Sequence, residues 1–314
     1  MRLTTAAKYA VNVAARVHEQ QGWLEASRVS SELLRGELRR LLNRSAVTRP
    51  EGTRGAEFLQ GANTDVSAIL LQARKQGLQF VPMNLDRDEL LQHAKTFPYP
   101  RFYAGGPVAY GGVREKKILE YFVTLKLATL TSDDVVIDVA SEYSIFPDLA
   151  RKLSDAIVFR QDLVYRSGVH GDLIGGSAAA MPVPREFASK LTLHNSFEHF
   201  EGRADTGFIE EAWRVLRRSG MVIIVPLYLS TEYANFTDPL VEHEGLVFDP
   251  DAHIYSVPGY RNRFGRFYNI SSLTERILEP ARSCGFEVAL YHFSSIRALE
   301  PTSGLHFGLV LAKN

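Results

Sequence analysis

Two aspartates, each at the end of a predicted strand, could hold a nucleoside-type cofactor. Asp138 lies in the short apolar run 135–139, which is typical of a strand covered on both faces. Asp162 follows a second apolar run further along the chain. A carboxylate at the end of the second strand of an open α/β sheet can bind ribose hydroxyls by charge-assisted hydrogen bonds. The pair therefore predicts a nucleoside site around the turn at 140–144, although Asp162 could also simply cap a loop.

Two histidines at the end of another predicted strand could act as proton acceptors. His194 and His199 follow the apolar run that begins at Leu191. A hydroxyl acceptor would need such a general base within hydrogen-bond reach. The alternative for each histidine is packing or hydrogen bonding at the strand end. The sequence shows no paired metal-ligand motif, and Cys284 is its only cysteine, so we predict no metal site and no intramolecular disulfide.

A segment rich in arginine and aromatic residues could bind the second substrate. Residues 231–269 interrupt the alternation of helices and strands, and a long insertion of this kind is often a functional lid. Within it, 253–269 interleaves Arg261, Arg263 and Arg266 with aromatic side chains. Guanidinium groups bind phosphate or carboxylate, and aromatic faces stack on sugars or bases. With Tyr228, Arg263 and Arg266 are predicted to bind an anionic or glycosidic acceptor; the alternative is a solvated loop pinned by aromatics.

The elements that must position these residues form an α/β pattern from residue 113 onward. Helices and short apolar strands alternate, which predicts a Rossmann-like, mostly parallel sheet of seven strands with helices on both faces. The predicted helices are 113–127, 147–153, 205–218 and 271–283. The predicted strands are 135–139, 156–159, 173–174, 191–194, 221–229, 286–293 and 306–312.

Residues 1–112 are predicted to be a helical accessory region that helps to form the acceptor pocket. Helical spacing of apolar residues indicates helices over 5–19, 25–42, 65–76 and 86–95. The arginines of the second helix form a basic face that could touch nucleic acid or could simply be solvated. The loop 97–112, rich in proline, glycine and aromatic residues, either covers a bound ligand or clasps two subdomains.

Bulk composition limits the classes of partner. The formal net charge is +0 at pH 7, which argues against a general attraction to nucleic acid or to a membrane. No apolar run is long enough to span a bilayer, and the first residues lack the apolar core of a signal peptide. We therefore expect a cytoplasmic protein of one large domain plus an accessory region, with a small-molecule partner. A homodimer is left open.

Three stretches together resemble class I S-adenosylmethionine-dependent methyltransferases of the type 11 kind. Residues 178–184 match the family's "AxxLPF" segment, and Phe197, Glu198 and His199 match its strand-end "xxLEH" pattern. The run FIEEAWRVLRRSGMVIIV, residues 208–225, is similar to "FLREAxRVLKPGGxLVI". With Asp138 and Asp162, the resemblance covers about residues 113–314. It implies S-adenosylmethionine as the cofactor and methyl transfer as the reaction.

The resemblance also implies roles by position in the first two strand ends. Asp138 would orient the turn and the methionine amino end of the cofactor. Ala140 and Ser141 would lie beside the carboxylate of the cofactor. Asp162 would hold the ribose, and Leu163 would lie against the adenine. These five residues are the predicted cofactor contacts of the first half of the sheet.

Further roles are implied at the next two strand ends. Ser177 stands where the family usually has the aspartate that bonds the adenine amino group. Ala178 would donate its backbone N–H to the adenine. The sulfonium and the acceptor would lie beside Asn195, Ser196 and Glu198.

The turn after Asp138 departs from the family pattern E/D-x-G-x-G-x-G. Ala140, Glu142 and Ser144 replace its three glycines. Glycine avoids a Cβ where backbone meets ligand, and Glu142 adds bulk and negative charge near a cofactor that carries a carboxylate. The cofactor could therefore bind in an altered way, bind weakly, or have been lost.

Three functions follow from these observations. The main hypothesis is methyl transfer to an oxygen or nitrogen of a small metabolite, such as a sugar or a secondary metabolite. The first rival is a non-catalytic protein of methyltransferase fold that binds or regulates a partner. The second is a nucleic-acid methyltransferase that uses residues 35–54. Zero net charge and the absence of an N/D-P-P-Y/F motif count against the second rival.

Overall fold

An eight-stranded mixed sheet forms the centre of the described chain. The computed structural model describes residues 54–55, 65–97, 113–142, 144–260, 262–299 and 304–314. The predicted helices 5–19 and 25–42 and nearly all of the loop 97–112 lie outside these residues. The predicted domain division at residue 112 therefore stays a prediction.

The helices and strands have the following bounds. The helices are α1 Val66–Lys75, α2 Arg87–Thr96, α3 Val113–Ala128, α4 Phe146–Ser154, α5 Ala204–Val215 and α7 Ile296–Leu299. Helix α6, which precedes α7, has three consecutive parts: Ile270–Leu273, a π-helical turn at Thr274–Leu278, and Glu279–Cys284. The strands are β1 Arg54–Gly55, β2 Phe80–Met83, β3 Val135–Val139, β4 Ile157–His170, β5 Leu173–Gly175, β6 Ala188–Leu193, β7 Leu216–Ile224, β8 Ala234–Thr237, β9 His253–Ser256, β10 Gly265–Phe267, β11 Phe286–Phe293 and β12 Phe307–Lys313.

The strand order of the large sheet is β2-β11-β12-β7-β6-β3-β4-β5. From β3 the chain moves outward through β4 to β5, then returns to the other side of β3 for β6 and β7, and all of these neighbours pair in parallel. The order reverses between β3 and β6, which is the switch point of a doubly wound sheet. The Rossmann-like fold that the resemblance implied is confirmed, with β12 antiparallel to both β7 and β11.

The sheet has eight strands where seven were predicted. The additional strand, β2, comes from the region before residue 113 and pairs in parallel with β11, with Phe80 opposite Leu290. Its residues have no period-2 pattern, and only the pairing with β11 defines it as a strand. Residues 80–83 therefore belong to the same sheet as the strands that follow.

The predicted helix 205–218 and strand 221–229 are both shifted in the structure. Helix α5 ends at Val215, and β7 begins at once with Leu216 opposite Ala188 of β6. The strand ends at Ile224, before Pro226. Proline has no N–H to donate to a strand ladder, which explains why pairing stops there although the apolar run continues.

Helices cover both faces of the sheet. On one face, α1, α5 and α6 pack over Ile137 and Val139 of β3. On the other face, α3 and α4 pack over Val136. Alternate residues of β3 thus enter opposite cores, as the near-continuous apolar run of this strand predicted. No helix in the described ranges is long and apolar enough to cross a membrane.

The insertion 231–269 contributes β8, β9 and β10 to a second sheet. The strand order of this sheet is β1-β9-β8-β10, and β1 comes from residues 54–55. A buried group of ions fixes it to the large domain. Arg266 on β10 is 0% exposed; its Nε donates to Asp249 Oδ2 at 2.7 Å, and its Nη1 lies 3.0 Å from Asp205 Oδ2 on α5. Arg276 on α6 pairs with Asp205 Oδ1 at 2.7 Å. Two arginines and two aspartates therefore balance one another between the sheet and the helices.

Arg266 consequently has a structural position, which differs from the predicted contact with an acceptor. Besides Asp249 and Asp205, its guanidinium donates to the carbonyl oxygens of Phe200 at 2.7 Å and Gly202 at 2.9 Å. A guanidinium has five N–H donors, and these partners satisfy them from inside the protein. The sequence could not show this, because its aspartates lie far along the chain.

We predict that Arg266→Met destabilises the protein by about 3 kcal/mol or more, because it leaves buried carboxylates without their cation. The control is Arg263→Met, since Arg263 forms a half-exposed pair with Glu201 and such a pair contributes less than about 1 kcal/mol. Urea denaturation measures both free energies of unfolding. Equal losses in the two variants would contradict the structural role of Arg266.

Candidate functional site

The predicted cofactor residues lie in or after four strands that are neighbours in the sheet. Strands β5, β4, β3 and β6 are adjacent and parallel in their paired parts. The segments after β5, β3 and β6 contain residues 177–178, 140–142 and 195–198, whereas residues 162–163 lie within β4, just past the part of it that pairs with β3. The structure thus brings the predicted residues together, at the edge where open α/β sheets bind ligands.

The turn after β3 keeps a glycine-like backbone although it has no glycine. Ala140 has φ +49° and Glu142 has φ +42°, both in the left-handed region. These are the first two glycine positions of the pattern described above. A residue with a Cβ pays about 1–2 kcal/mol for this conformation, so the surrounding structure must impose it.

Hydrogen bonds from β4 hold this turn. Gln161 is almost fully buried; its Oε1 accepts from Ala140 N–H at 3.1 Å, and its Nε2 donates to the Gly176 carbonyl at 2.5 Å. Asp162 Oδ2 accepts from Glu142 N–H at 2.7 Å. The Gln161 side chain therefore joins the turns after β3 and β5, and the Asp162 side chain holds Glu142 in its left-handed conformation. Sequence reasoning missed Gln161, whose only signal was an amide between two apolar stretches.

Asp162 and Leu163 have the surroundings that a nucleoside would need. Burial, followed by the Asp138 carboxylate, raises the pKa of Asp162, while N–H donors including those of Val164 and Glu142 favour its ionised form. These two bonds leave lone pairs of the carboxylate free for ribose hydroxyls. Leu163 follows directly and is 75% exposed, which offers apolar surface for an adenine ring. The chemistry of this pair fits the cofactor.

Glu142 introduces a second carboxylate at the same place. Its surroundings raise its pKa to about 7, chiefly by burial and then by repulsion from Asp162. The side chain nevertheless has an exposed surface, so solvent screens part of this repulsion. Its neighbour Tyr143 lies outside the described residues. The turn therefore combines a nucleoside-compatible backbone with an extra acidic group.

The turn after β5 and Ser141 use their polar groups locally. Ser177 is exposed, and its Oγ accepts from Ala179 N–H at 3.2 Å. Ala178 is buried beside it. Ser141 is buried, and its N–H donates to the Gln161 carbonyl at 2.9 Å. No carboxylate occupies the position of Ser177 to receive an adenine amino group.

His194 is held inside the protein between Asp138 and helix α3. Its Nδ1 lies 2.9 Å from Asp138 Oδ1, and its Nε2 lies 3.0 Å from Thr124 Oγ1. Its ring contacts those of Tyr121 and Phe146. Because both ring nitrogens have protein partners and the side chain is buried, the geometry favours the packing alternative for His194 over a catalytic base.

Asp138 points into the same layer rather than toward the strand ends. Its Oδ1 accepts from Thr192 Oγ1 at 2.9 Å and also faces His194, and its Oδ2 has no hydrogen-bond partner within the described part of the chain. The side chain is 0% exposed. Asp138 can therefore orient the turn by fixing β3 and β6, but its carboxylate is covered by protein.

His199 is the better placed of the two predicted bases. Its Nδ1 lies 2.7 Å from the Phe264 carbonyl, so Nδ1 must carry the proton and Nε2 has the lone pair. Nε2 lies 3.5 Å from Glu198 Oε1 and 3.4 Å from Asn262 Nδ2, and the ring is half-buried. Burial raises the pKa of Glu198. The Phe264 carbonyl thus fixes the tautomer of His199, and the ring is less buried than that of His194, so His199 remains the candidate general base.

A hydrogen-bonded chain joins α3 to the segment after β7. Tyr228 OH donates to Asn195 Oδ1 at 2.5 Å, and Asn195 Nδ2 donates to Glu120 Oε1 at 2.8 Å. Lys117 Nζ lies 2.8 Å from Glu120 Oε2. Asn195 has φ +52°, so this junction is also strained. Sequence reasoning found Asn195 and Tyr228 but missed Lys117 and Glu120, whose polar positions on α3 resembled a solvated face.

The second sheet lies against this group through β10. The Tyr228 ring stacks on Phe267 with centroids 4.8 Å apart, and the Phe264 carbonyl holds His199. Arg263 does not join them, because its Nε lies 2.9 Å from Glu201 Oε1. Arg261, the third arginine of this segment, lies outside the described residues. Among the described residues, no group of three or more histidine, cysteine or acidic side chains could hold a metal ion.

Comparison with known proteins gives distant structural matches. A scan of protein-family models finds no match, and a search of curated proteins finds no significant match. One similar solved structure is the 1,6-didemethyltoxoflavin-N1-methyltransferase of Burkholderia thailandensis, with 12% identity over 63% of this chain and 78% of that chain and a TM-score of 0.41. Another is an Aquifex aeolicus SAM-dependent methyltransferase, with 12% identity, coverage of 73% and 100%, and a TM-score of 0.39. The [4+2]-cyclase SpnF matches with 12% identity, coverage of 72% and 93%, and the same TM-score of 0.39.

We predict that Ala140→Gly stabilises the protein by about 0.5–1 kcal/mol. Glycine removes the free-energy cost of about 1–2 kcal/mol that a residue with a Cβ has in the left-handed conformation. It also lowers the free energy of unfolding by about 0.4–1 kcal/mol, because the unfolded chain gains conformational entropy. The control Ala94→Gly, inside helix α2, should instead cost about 0.5–1 kcal/mol. Denaturant titration measures both, and a loss of stability in Ala140→Gly would contradict the strained turn.

We predict that Glu142→Gln stabilises the protein more at about pH 8 than at about pH 5. The pKa of Glu142 in the folded protein, about 7, lies above its ordinary value, so the unfolded chain releases this proton first. Ionisation therefore disfavours the folded wild type increasingly as pH rises toward 7, whereas the amide does not titrate. Melting temperatures of both proteins across this range test the prediction, and a difference that is constant with pH would contradict it.

Proposed function

We propose that this protein binds S-adenosylmethionine at the carboxyl edge of β3, β4 and β5 and transfers its methyl group to an oxygen or nitrogen of a small-molecule acceptor. A sugar or secondary metabolite is the kind of acceptor that we expected from the sequence. The location in the cytoplasm and the oligomeric state stay predictions.

The observation that carries the proposal is the backbone of the turn after β3. Ala140 and Glu142 adopt left-handed φ angles at positions where the resembled motif has glycines. Gln161 and Asp162 hold these angles by hydrogen bonds. Strain of this kind persists only where the structure imposes it, and it is concentrated at ligand sites. The turn thus retains a shape that its own residue types disfavour.

The residues around the turn would each contact a different part of the cofactor. Asp162 would accept hydrogen bonds from the ribose hydroxyls, and Leu163 would contact the adenine. Ala140 and Ser141 would lie beside the methionine end. When bound, the cofactor supplies a methyl group already activated by its sulfonium. Alignment of the acceptor then accounts for much of the rate, which is the task left to the protein.

The acceptor would be aligned and deprotonated by residues after β6 and β7. Tyr228 is fixed by Asn195 and by stacking on Phe267, so its ring forms a rigid wall. His199 holds its lone pair on Nε2, because Nδ1 donates to the Phe264 carbonyl. That nitrogen would take the proton that the acceptor loses. Glu198, 3.5 Å away, would stabilise the imidazolium that results.

The alternative function is a non-catalytic protein of this fold with a lost cofactor site. Glu142 favours it, because this carboxylate stands beside Asp162 and would repel the cofactor carboxylate. Ser177 favours it too, because it removes the expected partner of the adenine amino group. Such a protein would bind or regulate a partner through the same edge of the sheet.

We predict that calorimetric titration detects saturable binding of S-adenosylmethionine and S-adenosylhomocysteine. Asp162→Asn should weaken both by about tenfold or more, since it replaces charge-assisted hydrogen bonds to ribose with neutral ones. The control Asp172→Asn lies on the turn between β4 and β5, where the carboxylate pairs with Arg151, and should leave the affinity unchanged.

The same titration separates the two functions. Absence of binding in the wild type, with binding restored by Glu142→Gly and Ser177→Asp together, would support the lost site. Absence of binding in both proteins would refute the cofactor assignment. Either ligand should also raise the melting temperature if it binds only the folded state.

A further inference from the structure

The arginines expected to attract an anionic acceptor are occupied elsewhere. Arg266 is fully buried among Asp249, Asp205 and backbone carbonyls. Arg263 pairs with Glu201 and donates to the Glu244 carbonyl. Neither guanidinium is available to the strand-end group formed by Asn195, Glu198, His199 and Tyr228. The charge that an acceptor would meet there must therefore come from other residues.

The acidic groups at this place are only partly neutralised. Glu120 is paired with Lys117 at 2.8 Å and also accepts from Asn195. Glu198 is nine-tenths buried, and in the described chain its ion-pair contact is with His199 at 3.5 Å. Among the residues that the structure describes, its Oε2 has no hydrogen-bond partner. A buried carboxylate oxygen without a donor is costly, so a ligand N–H that reached it would be strongly favoured.

Aromatic rings stand beside the same carboxylate. Tyr228 is stacked on Phe267, and Tyr260 lies near His199 with centroids 6.2 Å apart. Burial, followed by the charge of Glu198, raises the pKa of Tyr228 well above its ordinary value, so the phenol stays neutral. Aromatic faces next to a carboxylate form the combination that recognises organic cations.

We propose that the acceptor carries a basic nitrogen, which Glu198 binds through its unpartnered Oε2 and beside which the Tyr228 ring lies. This inference rests on the proposed function, since it names the substrate class of the same site. It replaces the anionic or glycosidic acceptor expected from the sequence with an amine.

Transfer to such an acceptor begins with the loss of one proton from its nitrogen. The protonated nitrogen binds next to Glu198 and gives one proton to His199 Nε2. Its freed electron pair then forms the nitrogen–carbon bond to the methyl group as the carbon–sulfur bond breaks, and the electrons of that bond remain on sulfur. The products are a methylated ammonium, a neutral thioether and a protonated His199, which releases its proton to water.

The test compares three ring compounds of matched size that differ in one group. Benzylamine, benzyl alcohol and benzoate are titrated by ligand-detected nuclear magnetic resonance against the full-length protein, with and without S-adenosylhomocysteine. We expect benzylamine to bind at least about tenfold more tightly than either of the others. Glu198→Gln keeps the shape of the side chain and should abolish this preference.

The matched control is Glu201→Gln, which removes an equal charge from a carboxylate that already pairs with Arg263. It should keep the preference for the amine. Equal binding of the three probes to the wild type, or binding of none, overturns the inference, and so does an amine preference that survives Glu198→Gln. Because the titrations are also run without S-adenosylhomocysteine, failure of the cofactor to bind would refute the proposed function separately from the amine preference.

Discussion

The hydrogen bonds from Gln161 and Asp162 to the turn after β3 are the constraint on which the candidate site depends. They hold Ala140 and Glu142 in left-handed conformations that neither residue would adopt alone. Gln161 also donates to the Gly176 carbonyl, so the ends of β3, β4 and β5 keep a fixed spacing. In a motif rich in glycine the local sequence supplies such a turn, whereas here the neighbouring strand imposes it.

A second set of buried polar contacts fixes the layers around this edge. Asp138, Thr192 and His194 join β3 to β6, and Thr124 joins His194 to α3. The ions around Arg266 attach the second sheet to α5 and α6. These groups rigidify the walls because each would be costly to bury without its partner. They also explain why several side chains of chemically reactive type are unavailable to a ligand.

The charge of the site is set by the ionisable groups that these structural contacts do not occupy. Arg263, Arg266 and His194 are occupied by protein groups, whereas Asp162, Glu142 and Glu198 retain carboxylate oxygens or exposed surface at this edge of the sheet. The result is an acidic edge with aromatic walls in a chain whose formal net charge is +0. Bulk charge therefore says little about this site, since the local arrangement determines which ligands it can attract.

The sequence by itself determined the order and type of most elements, because apolar periodicity and caps are local signals. Helices α3 and α4 and strands β3, β5, β11 and β12 lie within a residue or so of their predicted bounds, as the bounds given above show. Helix α1 lies within the predicted range 65–76, and Asp65 caps it, with its side chain accepting from Ala68 N–H. The sequence also placed Ser177, Asn195 and Glu198 after strands, which is why the structure collects them at one edge. Asp162 was expected after a short strand but lies within β4, which continues to His170.

Only the tertiary structure decided which of these side chains face a ligand. Arg266 and His194 looked like functional residues because their partners, Asp205, Asp249, Asp138 and Thr124, are distant in the chain and could not be paired with them from the sequence. Gln161 and Glu120 looked unremarkable for the same reason. The pairing of β2 with β11 and the left-handed φ of Ala140 and Glu142 likewise arise from contacts between elements. A local pattern specifies the type of an element, whereas burial and partner choice depend on chain segments that meet only in the folded protein.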